Sequence, residues 1–140
     1  MEIKYSEMLG KKYEELLKNS AFLSAIGGNV PEQVTKDSKN FHILSPSKNI
    51  SFTFDNDSKT LKFASLSPDS NGLLTHGLTT LVNQEQAAEL LGQPIDGKPA
   101  QKIPLLGMVG AWSTHIFEGN KLMLMYSVDT GCLEKIRFTL

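Results

Sequence analysis

From Trp112 to Leu140 the sequence alternates polar and apolar residues three times over, with a tight turn at each break. Antiparallel sheet is the structure that this pattern fits. Trp112, Thr114 and Ile116 alternate with Ser113 and His115, and Gly119-Asn120 reads as a two-residue hairpin turn. Leu122, Leu124, Tyr126 and Val128 then alternate with Lys121, Met123, Met125 and Ser127. The two methionines on the second face predict a strand buried on both sides and central in its sheet. Asp129-Thr130-Gly131 fits a three-residue turn with glycine in the left-handed position. Ile136, Phe138 and Leu140 alternate with Lys135, Arg137 and Thr139, which predicts a strand with one wet face.

A second hairpin precedes these strands. Ile50, Phe52 and Phe54 alternate with Ser51, Thr53 and Asp55, Asn56-Asp57-Ser58 is turn chemistry, and 60–66 returns as a strand. Phe41 to Leu44 is a candidate short strand. Tyr5, Leu9, Tyr13 and Leu16 share one helical face, broken by Gly10, and Ser20 to Ile26 is closed by Gly27-Gly28. The polar stretch from Asn29 to Asn40 has no period and reads as loop. The best-punctuated helix covers about 84–91. Asn83 is its N-cap, Gln86 completes a capping box, Gly92 stands at the left-handed C-terminal position, and Pro94 follows. The whole predicts an α+β fold in a single domain, 1–140. One antiparallel sheet of about five strands carries N-terminal helices and the capped helix on one face.

Length and composition fit that class. The chain has 140 residues, 40% hydrophobic and 21% charged, enough for a core without disulfide or metal. No apolar run approaches the ~20 residues of a membrane helix, and Met1 to Tyr5 shows no basic-then-apolar export signal. A soluble, cytoplasmic, monomeric protein with no membrane partner is expected. Fourteen basic against fifteen acidic residues give a net charge of −1, and Arg137 is the single arginine. Lys11, Lys12, Lys36 and the other lysines are scattered, so nucleic acid is not an expected partner.

No catalytic or metal-binding motif stands out. His42, His76 and His115 lie 34 and 39 residues apart, without metal-ligand spacing. Cys132 sits beside a turn with no base near it in sequence. Asp55-Asn56-Asp57 resembles the start of a calcium loop, but Thr60 and Leu66 stand where its glycine and final acid belong. The glycines form neither a phosphate loop nor a dinucleotide fingerprint. No enzyme activity, cofactor or metal is expected.

The segment from Pro94 to Gly110 contains three prolines and three glycines and reads as a long connection. Its end is apolar: Ile103, Leu105, Leu106, Met108 and Val109, leading to Trp112. Such a cluster ordinarily packs under a sheet edge. The alternative is a partner surface with an aromatic anchor.

Leu9-Gly10-Lys11-Lys12-Tyr13-Glu14-Glu15-Leu16, Leu90-Leu91-Gly92-Gln93-Pro94, and the tail from Gly110-Ala111-Trp112 through Tyr126 to Ile136 resemble a family of small bacterial proteins. That family is associated with S-type pyocin and contact-dependent inhibition toxins. The resemblance implies an immunity protein that binds a cognate toxin domain in the cytoplasm and neutralises it by steric blockade. It supplies no catalytic residues, and 29–75 is the least similar region. Two surfaces are candidates for the toxin. One is a set of acidic turn residues, Asp55, Asp57, Glu118 and Asp129, and the other is Leu105, Leu106 and Trp112. The alternative function is a small-ligand-binding α+β module without catalysis, using Met123, Met125 and the Leu105 to Met108 segment.

Overall fold

A computed structural model describes residues 4–31 and 37–140. The first three residues, read above for an export signal, and residues 32–36 of the polar connection, Lys36 included, lie outside the described residues.

Strand outnumbers helix. The helices are α1 (Tyr5–Met8), α2 (Tyr13–Leu16), α3 (Ser20–Ile26) and α4 (Gln84–Leu91). The strands are β1 (Asn40–Leu44), β2 (Ile50–Asp55), β3 (Leu61–Leu66), β4 (Asp96–Lys98), β5 (Gln101–Ile103), β6 (Gly107–Val109), β7 (Trp112–Phe117), β8 (Asn120–Tyr126) and β9 (Leu133–Thr139). Seven of them follow the sheet order β1-β2-β3-β9-β8-β7-β4, and β5 and β6 form a separate pair. The expected sheet of about five strands with helices covering one face is therefore corrected. Strand β1 joins the sheet, and the Pro94 to Gly110 connection contributes three strands of three residues each. Strands that short show no readable period. Among the described residues the helices have four, four, seven and eight residues, too little to cover a sheet face.

The chain divides into two compact units, 1–66 with 138–140, and 67–137. In the first, β1-β2-β3 are antiparallel, with Phe41 opposite Phe54 and Phe52 opposite Ala64. The rings of Phe41 and Phe54 stack at 4.9 Å. Phe22 of α3 meets Phe52 edge-on at 5.0 Å, and Tyr5 stacks on Phe138 at 5.0 Å. Such aromatic pairs add to their area burial. Burial pushes the Tyr5 phenol well above its ordinary value. Between α1 and α2 the backbone of Gly10, Lys11 and Tyr13 bonds to Leu61 and Lys59, which holds the broken N-terminal helices against this hairpin.

In the second unit, β7 and β8 pair antiparallel from Trp112↔Met125 to Phe117↔Asn120, and β4 lies along β7 from Asp96↔Thr114 to Lys98↔Trp112. Leu122, Leu124, Tyr126, Leu133 and Ile136 are buried together with Leu78, Val82 and Ala87. The α4 cap forms as its sequence predicts: Asn83 accepts from the Gln86 N–H at 2.9 Å, and Gln86 reaches back to the Asn83 N–H at 2.9 Å. Gly92 ends the helix at φ 88 and ψ 174, so its φ is positive but it is not the left-handed helical residue expected there. The β7–β8 turn is Glu118-Gly119, with φ 51 and 83, one residue earlier than Gly119-Asn120.

Candidate functional site

The apolar connection is a hairpin whose tip is in solvent. Gln101 pairs with Val109, Lys102 with Met108 and Ile103 with Gly107. The Leu106 N–H donates to the Ile103 carbonyl at 3.1 Å, closing a four-residue turn over Pro104-Leu105. Pro104 suits the second place of that turn, and the third place needs positive φ, where glycine is the ordinary occupant. Leu105 stands there instead, at φ 69. A non-glycine residue in that region costs roughly 1–2 kcal/mol. No burial offsets this cost: Leu105 is 106% exposed, Leu106 75% and Met108 53%. The reading that this cluster packs under the sheet edge is corrected, because the hairpin's two arms pair with each other and leave the tip uncovered.

At the base of the hairpin the chain returns to the sheet through Gly110 and Ala111. An open groove of about 480 Å³ lies here, lined by Val109, Ala111, Trp112, Met123, Met125 and Lys135. Trp112 and Met125 are directly opposed across β7 and β8 and both are half-buried. The expectation that the methionine face of this strand is buried is corrected too. Strand β8 is interior to its sheet, but Met123 and Met125 face the open groove.

The acidic candidates are divided between the two units. Asp55 and Asp57 belong to the first unit, Glu118 and Asp129 to the second. Within the second unit, Glu118 precedes β8 and Asp129 follows it, so a strand of seven residues, about 20 Å, separates the two turns. Asp55 serves its own turn. Its carboxylate accepts from the N–H groups of Asp57 at 2.8 Å and Ser58 at 3.0 Å. These backbone bonds, the one from Ser58 foremost, hold its carboxyl below the ordinary aspartate range.

Each histidine has a different set of contacts. His42 Nδ1 lies 2.9 Å from Thr53 Oγ1, and the His76 ring meets Phe117 edge-on at 4.8 Å. His115 is part of a buried polar chain. Its Nδ1 is 2.9 Å from the Gly92 carbonyl, its Nε2 2.9 Å from Ser113 Oγ, and Ser113 Oγ 3.0 Å from the Tyr126 hydroxyl. A carbonyl only accepts, so Nδ1 carries a proton and donates it to Gly92. Burial raises the Tyr126 phenol, and its bond to Ser113 opposes that rise. The chain ties the end of α4 to β7. Half-buried Cys132 donates its backbone N–H to Thr130 Oγ1 at 3.2 Å. Among the described residues no group of three His, Cys, Asp or Glu side chains is placed to hold a metal ion. No described helix is long and apolar enough to cross a membrane.

No protein-family model matches the chain, and no curated protein matches it. Among solved structures the chain is similar to a DUF4309 family protein, YjgB, from Bacillus subtilis subsp. subtilis str. 168. The two are 15% identical, with 78% of this chain and 70% of that chain covered, at a TM-score of 0.48.

Sequence reasoning named Leu105, Leu106 and Trp112 but treated them as one surface. The structure separates a solvent-exposed tip, Leu105 and Leu106, from a groove at its base that Trp112 lines. The strained turn behind Leu105 was missed, although Pro104 beside Leu105 and Gly107 carried its signal.

Proposed function

We propose that this chain is a protein-binding module of the immunity type, which blocks a toxin domain in the cytoplasm by presenting the β5–β6 hairpin to it. The observation that carries this reading is Leu105, fully exposed in a backbone conformation that favours glycine. Folded chains keep strained residues where the surrounding structure or a function retains them. Here the side chain is a large apolar one that touches water, which supports a use in a contact outside the chain. The partner that fits is a protein with a small apolar pocket. Leu105 and Leu106 enter the pocket, and Lys102 on the hairpin favours an acidic rim around it. This places the charge preference opposite to that of acidic inhibitors of basic nucleases. It also favours the hairpin over the acidic turns as the binding surface.

The test takes whichever toxin domain genome sequence places beside this chain's gene and co-expresses the two; a gene with no such neighbour overturns the function. Restored growth, lost in the double variant Leu105→Ser, Leu106→Ser and kept in the charge reversals of Asp55, Asp57, Glu118 and Asp129, supports both the function and the surface. Toxicity unrelieved by the unaltered chain overturns the function. Relief that survives the leucine changes overturns the surface.

A further inference from the structure

Strand β7 carries Ser113 and His115 two residues apart, so the period of a strand turns both side chains to one side. Both are buried, at 6% and 1% exposure, yet both line an open groove of about 510 Å³. Its other wall is α4, through Glu85, Ala88 and Glu89, with Pro94 beyond the helix. Ser113 Oγ is 2.9 Å from His115 Nε2, and His115 Nδ1 is 2.9 Å from the Gly92 carbonyl. That carbonyl fixes a proton on Nδ1, so in the neutral ring Nε2 is left as an acceptor facing Oγ. A hydroxyl, a base within hydrogen-bond reach of it, and a third group that orients the base make up an activated nucleophile. A backbone carbonyl is the orienting group here.

We infer that Ser113 and His115 are a nucleophile and its base, and that they hydrolyse small uncharged carboxylic esters in this groove. Ser113 Oγ bonds to the acyl carbon while Nε2 takes the hydroxyl proton. The bond from that carbon to the alkoxy oxygen then breaks, and Nε2 passes the proton to the departing alcohol. Water next attacks the acyl carbon and gives a proton to Nε2, Oγ leaves and recovers it, and the carboxylic acid is released. The oxyanion in each half forms on an atom bonded to the same carbon as Oγ. The Tyr126 hydroxyl, 3.0 Å from Oγ, stands on that side as a donor. Among the described residues the groove is lined by two carboxylates, Glu85 and Glu89, and by no lysine or arginine. Those charges favour the imidazolium that forms during turnover and disfavour an anionic ester. The groove's volume falls within the ~300–1,000 Å³ of small-molecule sites. The site stands apart from the proposed toxin contact, since neither Leu105 nor Leu106 lines it.

A fluorophosphonate tests the pair without any variant: Oγ bonds to phosphorus, fluoride leaves, and Nε2 takes the hydroxyl proton. An adduct on Ser113 is expected by peptide mass spectrometry, and none when the chain is first unfolded in urea. The folded chain is expected to hydrolyse 4-nitrophenyl acetate over many turnovers, and Ser113→Ala to lower kcat/KM at least about a hundredfold. An adduct that is absent or lies on another residue would overturn the proposal. So would release of nitrophenolate that stops at one equivalent, or an unchanged kcat/KM in Ser113→Ala.

Discussion

The imidazole of His115 holds the carbonyl of Gly92 at 2.9 Å, so the residue that ends α4 is fastened to the middle of β7. A helix end leaves its last carbonyls without internal partners. Here one of them is satisfied from the sheet, by a side chain only 1% exposed. His115→Ala removes that donor and leaves the buried Ser113 hydroxyl with the Tyr126 hydroxyl as its other partner. The expected loss is about 2–4 kcal/mol of unfolding free energy in urea, with amide exchange in α4 accelerated first. Exchange in α4 that remains as slow as in the unaltered protein would show that the helix is held by packing alone.

Leu105→Gly separates stability from binding. Glycine takes φ 69 without steric cost, so the variant is expected to be more stable by roughly 1 kcal/mol, a rise of a few degrees in Tm. The same change removes the side chain proposed to enter the partner's pocket, so affinity for that partner is expected to fall. A variant both less stable and weaker in binding contradicts the account of this turn.

Gly110 meets a different constraint. A Cβ built there lies 2.0 Å from the Tyr126 carbonyl oxygen and 3.2 Å from its carbon, both backbone atoms that cannot swing aside. Gly107, by contrast, has φ 81 and open space around its Cβ position. Gly110→Ala is expected to cost at least about 2 kcal/mol, and Gly107→Ala roughly half of that, by thermal unfolding. The reverse order would mean that the return of the chain onto β8 is looser than its geometry.

How much of this was legible in sequence depended on length of pattern. The α4 helix was readable to the residue because Asn83, Gln86 and Gly92 each have a distinct physical job at its ends. The long alternating runs of β2, β7 and β8 were readable as well, and the β7–β8 turn was displaced by one residue because Glu118 takes positive φ beside Gly119. Strands β4, β5 and β6 were not, since three residues cannot display a period of two and Pro94, Pro99 and Pro104 read as loop. The site was half legible. An apolar run ending at Trp112 was visible, but burial is a property of what packs against it, and here the two arms of the hairpin pair with each other. The two methionines of β8 were read as buried for the same reason: nothing local to a strand says whether a helix will cover it.

Asp55 predicts a local acid transition. Its folded pKa is depressed, so the turn it organises is fully supported above about pH 4, the unfolded value, and loses that support as pH falls through the folded value. The amide resonances of Asp57 and Ser58 are expected to titrate together with a midpoint below that of an ordinary aspartate. In Asp55→Asn that transition is absent. A midpoint at the ordinary value would mean that these backbone bonds do not persist in solution.

Strand β4 closes one end of the sheet order with three exposed residues, Asp96-Gly97-Lys98, followed at once by Pro99. Uncovered strand edges invite neighbouring molecules to add strands of their own, and shortness, charge and proline each discourage this. All three occur together here. Beside a hairpin that displays bare leucines, this margin of the sheet therefore offers too little backbone for polymerisation to begin.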